Sequence, residues 1–172
     1  MDFKDCVFSR RSIRKYKRKE LSTEKINSII KYALYAPSSC NTQNWNFIIV
    51  KDKKVKEKLS KVHKYCSFVK DASYVIVICF DKSKCLYSPS GLLSVAVAAE
   101  NILLGITNEG LGGCWIYVKD DKEPEIENKV KEYLNIPENI EVVCMISVGY
   151  PDEVPQDKKV KDLKEVIHIE KW

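Results

Sequence analysis

The run Tyr74-Val75-Ile76-Val77-Ile78-Cys79-Phe80 constrains the fold more than any other part of the chain. It is β-rich and apolar throughout, with none of the wet-and-dry alternation of a half-exposed strand. It therefore reads as a strand buried on both faces. A second constraint lies further along. Leu92 to Thr107 is the least polar segment, interrupted by Glu100 and Asn101. It is too short and too interrupted for a bilayer span, and reads as a central helix that is hydrophobic nearly all round. Gly110 or Gly112 would end it.

The other elements follow from spacing and caps. Phe3, Cys6 and Val7 suggest a short first helix that Asp2 could cap. Ser22 is a plausible cap for a helix whose face carries Ile26, Ile29, Ile30, Ala33 and Leu34, and which stops before Pro37. Val55, Leu59 and Val62 mark another amphipathic helix. Ile126, Val130, Tyr133 and Leu134 mark a last one, with Pro124 suited to its first turn. Asn46–Val50, Cys114–Val118 and Glu141–Val148 read as strands. No repeat, low-complexity stretch or linker divides the chain, so residues 1–172 are expected to form one α+β domain. At 172 residues such a domain buries roughly 70% of its unfolded surface, enough for a core without disulfides or metal.

Seven cysteines, at 6, 40, 66, 79, 85, 114 and 144, are odd in number and contain no CxxC pair. They read as reduced thiols used as small buried hydrophobes, which implies a reducing cytoplasmic setting. Met1–Asp5 is charged and lacks the apolar core of a signal peptide. The net charge of +5 allows an anionic ligand without requiring one.

Three segments could carry chemistry. The basic run Arg10-Arg11-Ser12-Ile13-Arg14-Lys15-Tyr16-Lys17-Arg18-Lys19 could grip a phosphate, bind nucleic acid, or be a solvated loop. Ala36-Pro37-Ser38-Ser39-Cys40-Asn41-Thr42-Gln43-Asn44-Trp45 offers hydroxyls and amides between a helix and a strand, as a ligand site or simply as a turn. Glu109-Gly110-Leu111-Gly112-Gly113-Cys114-Trp115-Ile116-Tyr117 would let a flat ligand approach the backbone, or its glycines merely end a helix. A helix precedes these glycines and a strand follows, which rejects a Rossmann dinucleotide site.

In order, RRSIRKY, APSSCNTQNW, GLGGCW and VGYP followed by lysines resemble the flavin-dependent nitroreductase family over nearly the whole chain. The resemblance implies an α+β sandwich, a mostly antiparallel sheet with helices on both faces. It also implies a homodimer with two FMN molecules at the interface, each C-terminal segment embracing the partner. That would account for an apolar Val166-Ile167-His168-Ile169 tail ending at Trp172. Carried over position by position, Arg10, Arg11, Ser12 and Arg14 would hold the FMN phosphate and ribityl chain. Pro37, Ser38, Ser39 and Asn41 would contact the flavin from the partner subunit. Ile116, Tyr117 and Val118 would present backbone to the ring's reactive edge, and Lys159 and Lys161 would complete the phosphate site.

The sequence departs from the family pattern in three places. Asn44 stands where Pro is common, and Tyr65 and Phe68 stand where many members carry Asn and Lys. Lysines replace a usual C-terminal arginine, giving point charges without the bidentate fork. The implied activity is ping-pong, two-electron reduction of nitroaromatic, quinone or related acceptors by NADH or NADPH, with no side chain needed as nucleophile or base. His63 and His168 read as structural, and Cys40 and Cys114 could carry a redox role or be small residues the motifs require. The alternative is a flavin-storing or redox-sensing protein with little turnover. Neither membrane nor nucleic acid is expected as a partner.

Overall fold

The computed structural model describes residues 1–85 and 88–172. The described residues form five helices and four strands, in chain order α1 (Phe3–Ser9), α2 (Thr23–Leu34), β1 (Trp45–Val50), α3 (Lys53–Leu59), β2 (Tyr74–Asp81), α4 (Ser88–Asn108), β3 (Gly112–Tyr117), α5 (Pro124–Leu134) and β4 (Ile140–Gly149). Short 3-10 turns at Ser39–Asn41, Ser67–Asp71, Lys82–Lys84 and Leu163–Glu165 have no periodicity long enough to read from sequence. The caps are local and were legible. Asp2 accepts from the Lys4 amide, Ser22 from the Lys25 amide, and Pro124 opens α5. Gly110 leaves α4 with φ of +69°, a turn that glycine makes without strain.

The strands form one antiparallel sheet in the order β1-β2-β4-β3. Strand β2 is interior and buried on both faces. Ile76, Ile78 and Phe80 face α2 and α4, where they meet Ile26, Ile29, Ile102 and Ile106. Val75, Val77 and Cys79 face the other way, toward Leu59, Val69, Ile126 and Val130. Helices on both sides are thus required by the composition of one strand. Each such side chain contributes about 1.5–3 kcal/mol on burial.

Helix α4 is longer than the apolar run suggests and passes a length-and-hydropathy test for a membrane span, but half of that stretch is buried inside the fold. It packs closely on α2, where a methyl at Gly105 would come within 2.6 Å of the Tyr32 ring. One stripe of α4 stays uncovered: Leu93 is 69% and Val97 40% exposed. The tail is uncovered as well, with Trp172 fully exposed and Val166, Ile167 and Ile169 more than half exposed. All seven cysteines are free; five are buried, Cys85 is half-buried and Cys40 is exposed.

Candidate functional site

The basic run is neither a helix nor a solvated loop. It lies as an extended strap that meets the outer edge of β3 at Gly113 and the segment after β4 at Tyr150–Asp152, with Ile13 and Tyr16 as its two buried anchors among exposed charged side chains. Ser12 pairs in parallel with Gly113, and the Ile13 amide donates to Gly113 O at 2.9 Å. Further on, the Lys17 amide donates to Tyr150 O, and the Asp152 amide to Lys15 O, both at 2.9 Å. Glu153 accepts from the Arg14 and Lys15 amides. Ile13 and Tyr16 are buried beneath the strap. The Tyr16 hydroxyl donates to Ile13 O and shares a hydrogen bond with Ser147 Oγ at 2.7 Å. Burial pushes the Tyr16 pKa up, against the lowering effect of Ser147, so this anchor stays neutral.

The strap explains the glycines. A methyl at Gly112 would lie 2.8 Å from the Ile13 side chain, and one at Gly149 2.8 Å from the Tyr16 ring. These positions are bare for a neighbouring piece of chain. The expectation that the glycine segment opens space for a flat ligand is corrected to that extent.

Beyond the strap's cover, β3 borders a cleft of 520 Å³ lined by Arg14, Cys114, Trp115, Ile116, Tyr117 and Asp120, with His63, Tyr65, Ser67, Phe68 and Ile126 completing the wall. The Arg14 guanidinium lies 5.9 Å from the centre of the Phe68 ring. Nδ1 of His63 accepts the Tyr65 amide at 3.1 Å, and the two rings tilt against each other at 5.1 Å. An antiparallel ladder bonds alternate residues to each neighbour. The Val118 amide is bonded to Val143 O at 3.0 Å, so the amides of Ile116 and Val118 turn inward to β4. The outward-facing groups belong to Trp115 and Tyr117. Val118, expected to present backbone at the edge, is buried and committed elsewhere. Burial pushes the Cys114 thiol up, while Arg14 and Ser12 oppose the shift.

Among the predicted site residues, the cleft brings together Arg14, Ile116 and Tyr117. Arg10 instead pairs with Glu100 of α4 at 3.5 Å. Arg11 turns back onto the carbonyls of Phe8 and Arg10, at 2.7 and 2.9 Å. Ser12 stands on the strap next to Cys114. Pro37, Ser38 and Ser39 line a separate hollow with Leu93 and Val97 of α4. In the same loop Cys40, Asn41 and Gln43 all have φ between 44° and 53°. Such left-handed residues cost of order 1–2 kcal/mol apiece and gather at functional positions. Lys159 and Lys161 are exposed in the tail and do not line the cleft. Asn44, in place of the usual Pro, is buried, donates to Cys85 Sγ at 2.7 Å and leaves its Oδ1 without a partner. Trp115, Ser67, Asp120 and Ile126 were not anticipated. Trp115 lay within the quoted glycine motif, and the others carried no signal.

Comparison with known proteins follows this geometry. The model of the Nitroreductase family matches residues 7–84 and 61–150. A protein of Methanothermobacter thermautotrophicus is 34% identical over all of this chain and 88% of its own length. One from Archaeoglobus fulgidus is 36% identical over 96% of both chains. Both carry the provisional name NADH dehydrogenase/NAD(P)H nitroreductase. A solved FMN-dependent nitroreductase from Clostridium difficile superposes with a TM-score of 0.89 at 36% identity, covering 99% of this chain and all of the other.

Proposed function

The chain belongs to the Nitroreductase family, and from that premise we propose that residues 1–172 form an FMN-binding unit of an NAD(P)H oxidoreductase. The observation that carries the proposal is the cleft itself, where an arginine, an open strand edge and four aromatic residues converge. Its 520 Å³ lies within the usual range of about 300–1,000 Å³ for ligand and cofactor sites. Tyr65, Phe68, Trp115 and Tyr117 offer flat apolar walls, Arg14 offers the cation a phosphate needs, and the outward amide of Tyr117 offers a donor to an electron-rich acceptor atom of a flat ring.

The chemistry that bound FMN supplies is two-electron transfer from NADH or NADPH to a nitroaromatic, quinone or related acceptor, one after the other in the same cleft. The protein's part is to bind, orient and exclude water. Arg14, with Ser12 beside it and Arg10 and Arg11 released from their present partners, would hold phosphate and ribityl oxygens. Phe68 backs the Arg14 guanidinium and limits its freedom. Tyr65 and Phe68 take the place of polar family residues, so that wall works by stacking and water exclusion. The raised thiol of Cys114 stays protonated at neutral pH and gives no nucleophile.

We further place the working enzyme as a homodimer in the cytosol. Leu93 and Val97 on α4, and Val166, Ile167, Ile169 and Trp172 in the tail, are exposed apolar side chains that a partner would cover. A partner seated there would bring its own Pro37, Ser38, Ser39 and Asn41 toward the cleft, and the reordered tail would bring Lys159 and Lys161. The test is a visible absorption spectrum of the purified protein, followed by NADH or NADPH under anoxic conditions. A flavin spectrum that bleaches is expected. A flavin spectrum that neither donor bleaches would point to storage or sensing, and no flavin uptake would overturn the assignment.

A further inference from the structure

A second hollow, of 280 Å³, opens where residues 17–21 leave the strap and meet Lys51 after β1, Lys56 of α3 and residues 71–74. It shares no lining residue with the flavin cleft. Its walls carry five cations, Lys17, Arg18, Lys19, Lys51 and Lys56, against the two carboxylates of Glu20 and Asp71. Among the described residues, none of the five has a carboxylate within ion-pair distance. The proposed flavin cleft, by comparison, has one cation and one carboxylate in its lining, Arg14 and Asp120.

Lys56 is the built part of this hollow. Lysines are among the residues least often buried, yet Lys56 is only 8% exposed. Its ammonium donates to Ala72 O and Ser73 O at 2.5 and 3.3 Å. Both partners are neutral carbonyls, so a third N–H and the full charge are left over at the wall. Burial holds its pKa down, with Asp71 and Asp52 opposing. An anion in the hollow would relieve that cost. Two of the mobile lysines are steered by rings: Lys19 lies 4.2 Å from the Tyr150 centroid and Lys51 5.8 Å from that of Tyr74.

We propose that this hollow is a second anion site, taking the phosphate or diphosphate group of a small molecule. A multivalent anion suits an excess of three cations, and Arg18 adds the fork that matches phosphate oxygens. The volume is below that of typical whole-ligand pockets, about 300 Å³ and upward, so a terminal group fits rather than an entire dinucleotide. Tyr74, the one aromatic residue in the lining, is buried, so no exposed ring is available for stacking nucleic-acid bases.

The test uses the full-length chain as purified, labelled with nitrogen-15 and titrated at low salt with pyrophosphate and, separately, with ADP. Saturable amide shifts are expected at Lys17–Leu21 and Ala72–Tyr74, with Trp115 and Tyr117 unmoved. Replacing Arg18 and Lys51 together by Ala should weaken pyrophosphate binding about tenfold. Both are exposed, so the thermal midpoint should be unchanged. Equal affinity for the two probes identifies a free inorganic anion as the ligand, and tighter ADP binding identifies a nucleotide's diphosphate end. The absence of a saturable shift, shifts confined to Arg10–Arg14, or a response only to an oligonucleotide would overturn the proposal.

Discussion

Gly112 shows what a residue does here that its type alone did not reveal. The glycine motif was legible as a place of close approach, but the approaching group is Ile13 of the strap, 2.8 Å from where a methyl would stand. Sequence order hides this, because the two residues meet only through tertiary packing. Gly112→Ala should therefore cost about 1–3 kcal/mol in chemical denaturation, the range for overpacking a filled site, and should reduce flavin content as well. Gly110→Ala meets nothing within 4 Å and pays only for its left-handed φ, about 1 kcal/mol, with flavin retained. Arg14 is the other residue on which the proposed function rests. Arg14→Ala should lower FMN affinity at least about tenfold, as expected for losing a charged phosphate contact, while leaving the thermal midpoint nearly unchanged. Equilibrium dialysis with FMN measures it. That Arg14, Ile116 and Tyr117 meet at one cleft was legible through motif order, though the Ile116 amide turns to β4 and not to the strand edge. Asp120, Ser67 and Ile126 were not, since an acidic residue, a serine and a core isoleucine have no distinguishing pattern before the chain is folded.

Among elements, α5 is seated by Ile126 and Val130 and is tied to the segment after β3 by an ion network that periodicity could not predict. Lys119 reaches Glu141 at 2.8 Å and Glu127 at 3.6 Å, Lys131 reaches Glu127 at 3.2 Å, and Lys82 reaches Glu141 at 3.1 Å. Glu127 also accepts the Val142 amide at 3.0 Å. Burial alone would raise the Glu141 carboxyl, but Lys119 and Lys82 outweigh it and hold the pKa below the ordinary value. Burial alone would lower Lys119, and the hydrogen bond to Glu141 with the charge of Glu127 reverses it. The signs set the pH window. The carboxyl's contribution is complete above the unfolded value of about 4.3 and is lost as pH falls through the folded one. The ammonium's is complete below about 10.4 and is lost as pH rises through its own folded value. Glu141→Gln should thus cost about 1 kcal/mol at neutral pH in urea unfolding, with the gap to the parent closing as pH falls below the ordinary carboxylate range. Helices and strands themselves were legible because caps and apolar spacing are local. This network and the short 3-10 turns were not, because side chains distant in sequence define the one and too few residues the other.

For the molecule as a whole, one strand buried on both faces already demanded three layers, and the fold supplies them. What a single chain does not supply is cover for α4 and the tail. Deleting residues 163–172 should convert a dimer into monomers or aggregates by light scattering on a sizing column, whereas an intact dimer would show that the tail is dispensable. The strap has one more consequence, in the order in which the protein is made. Residues 10–17 leave the ribosome near the start of synthesis, yet their landing place is finished only when Tyr150–Glu153 have followed. For most of translation the strap has nothing to hold, and after β3 emerges the strap on its outer edge is fixed only at Gly113 until Tyr150–Glu153 arrive. An unpaired strand edge is a template for the wrong neighbour. Crowded synthesis therefore exposes this protein to mispairing late, at β3, and a strap weakened at Ile13 or Tyr16 would show itself first as lost soluble yield.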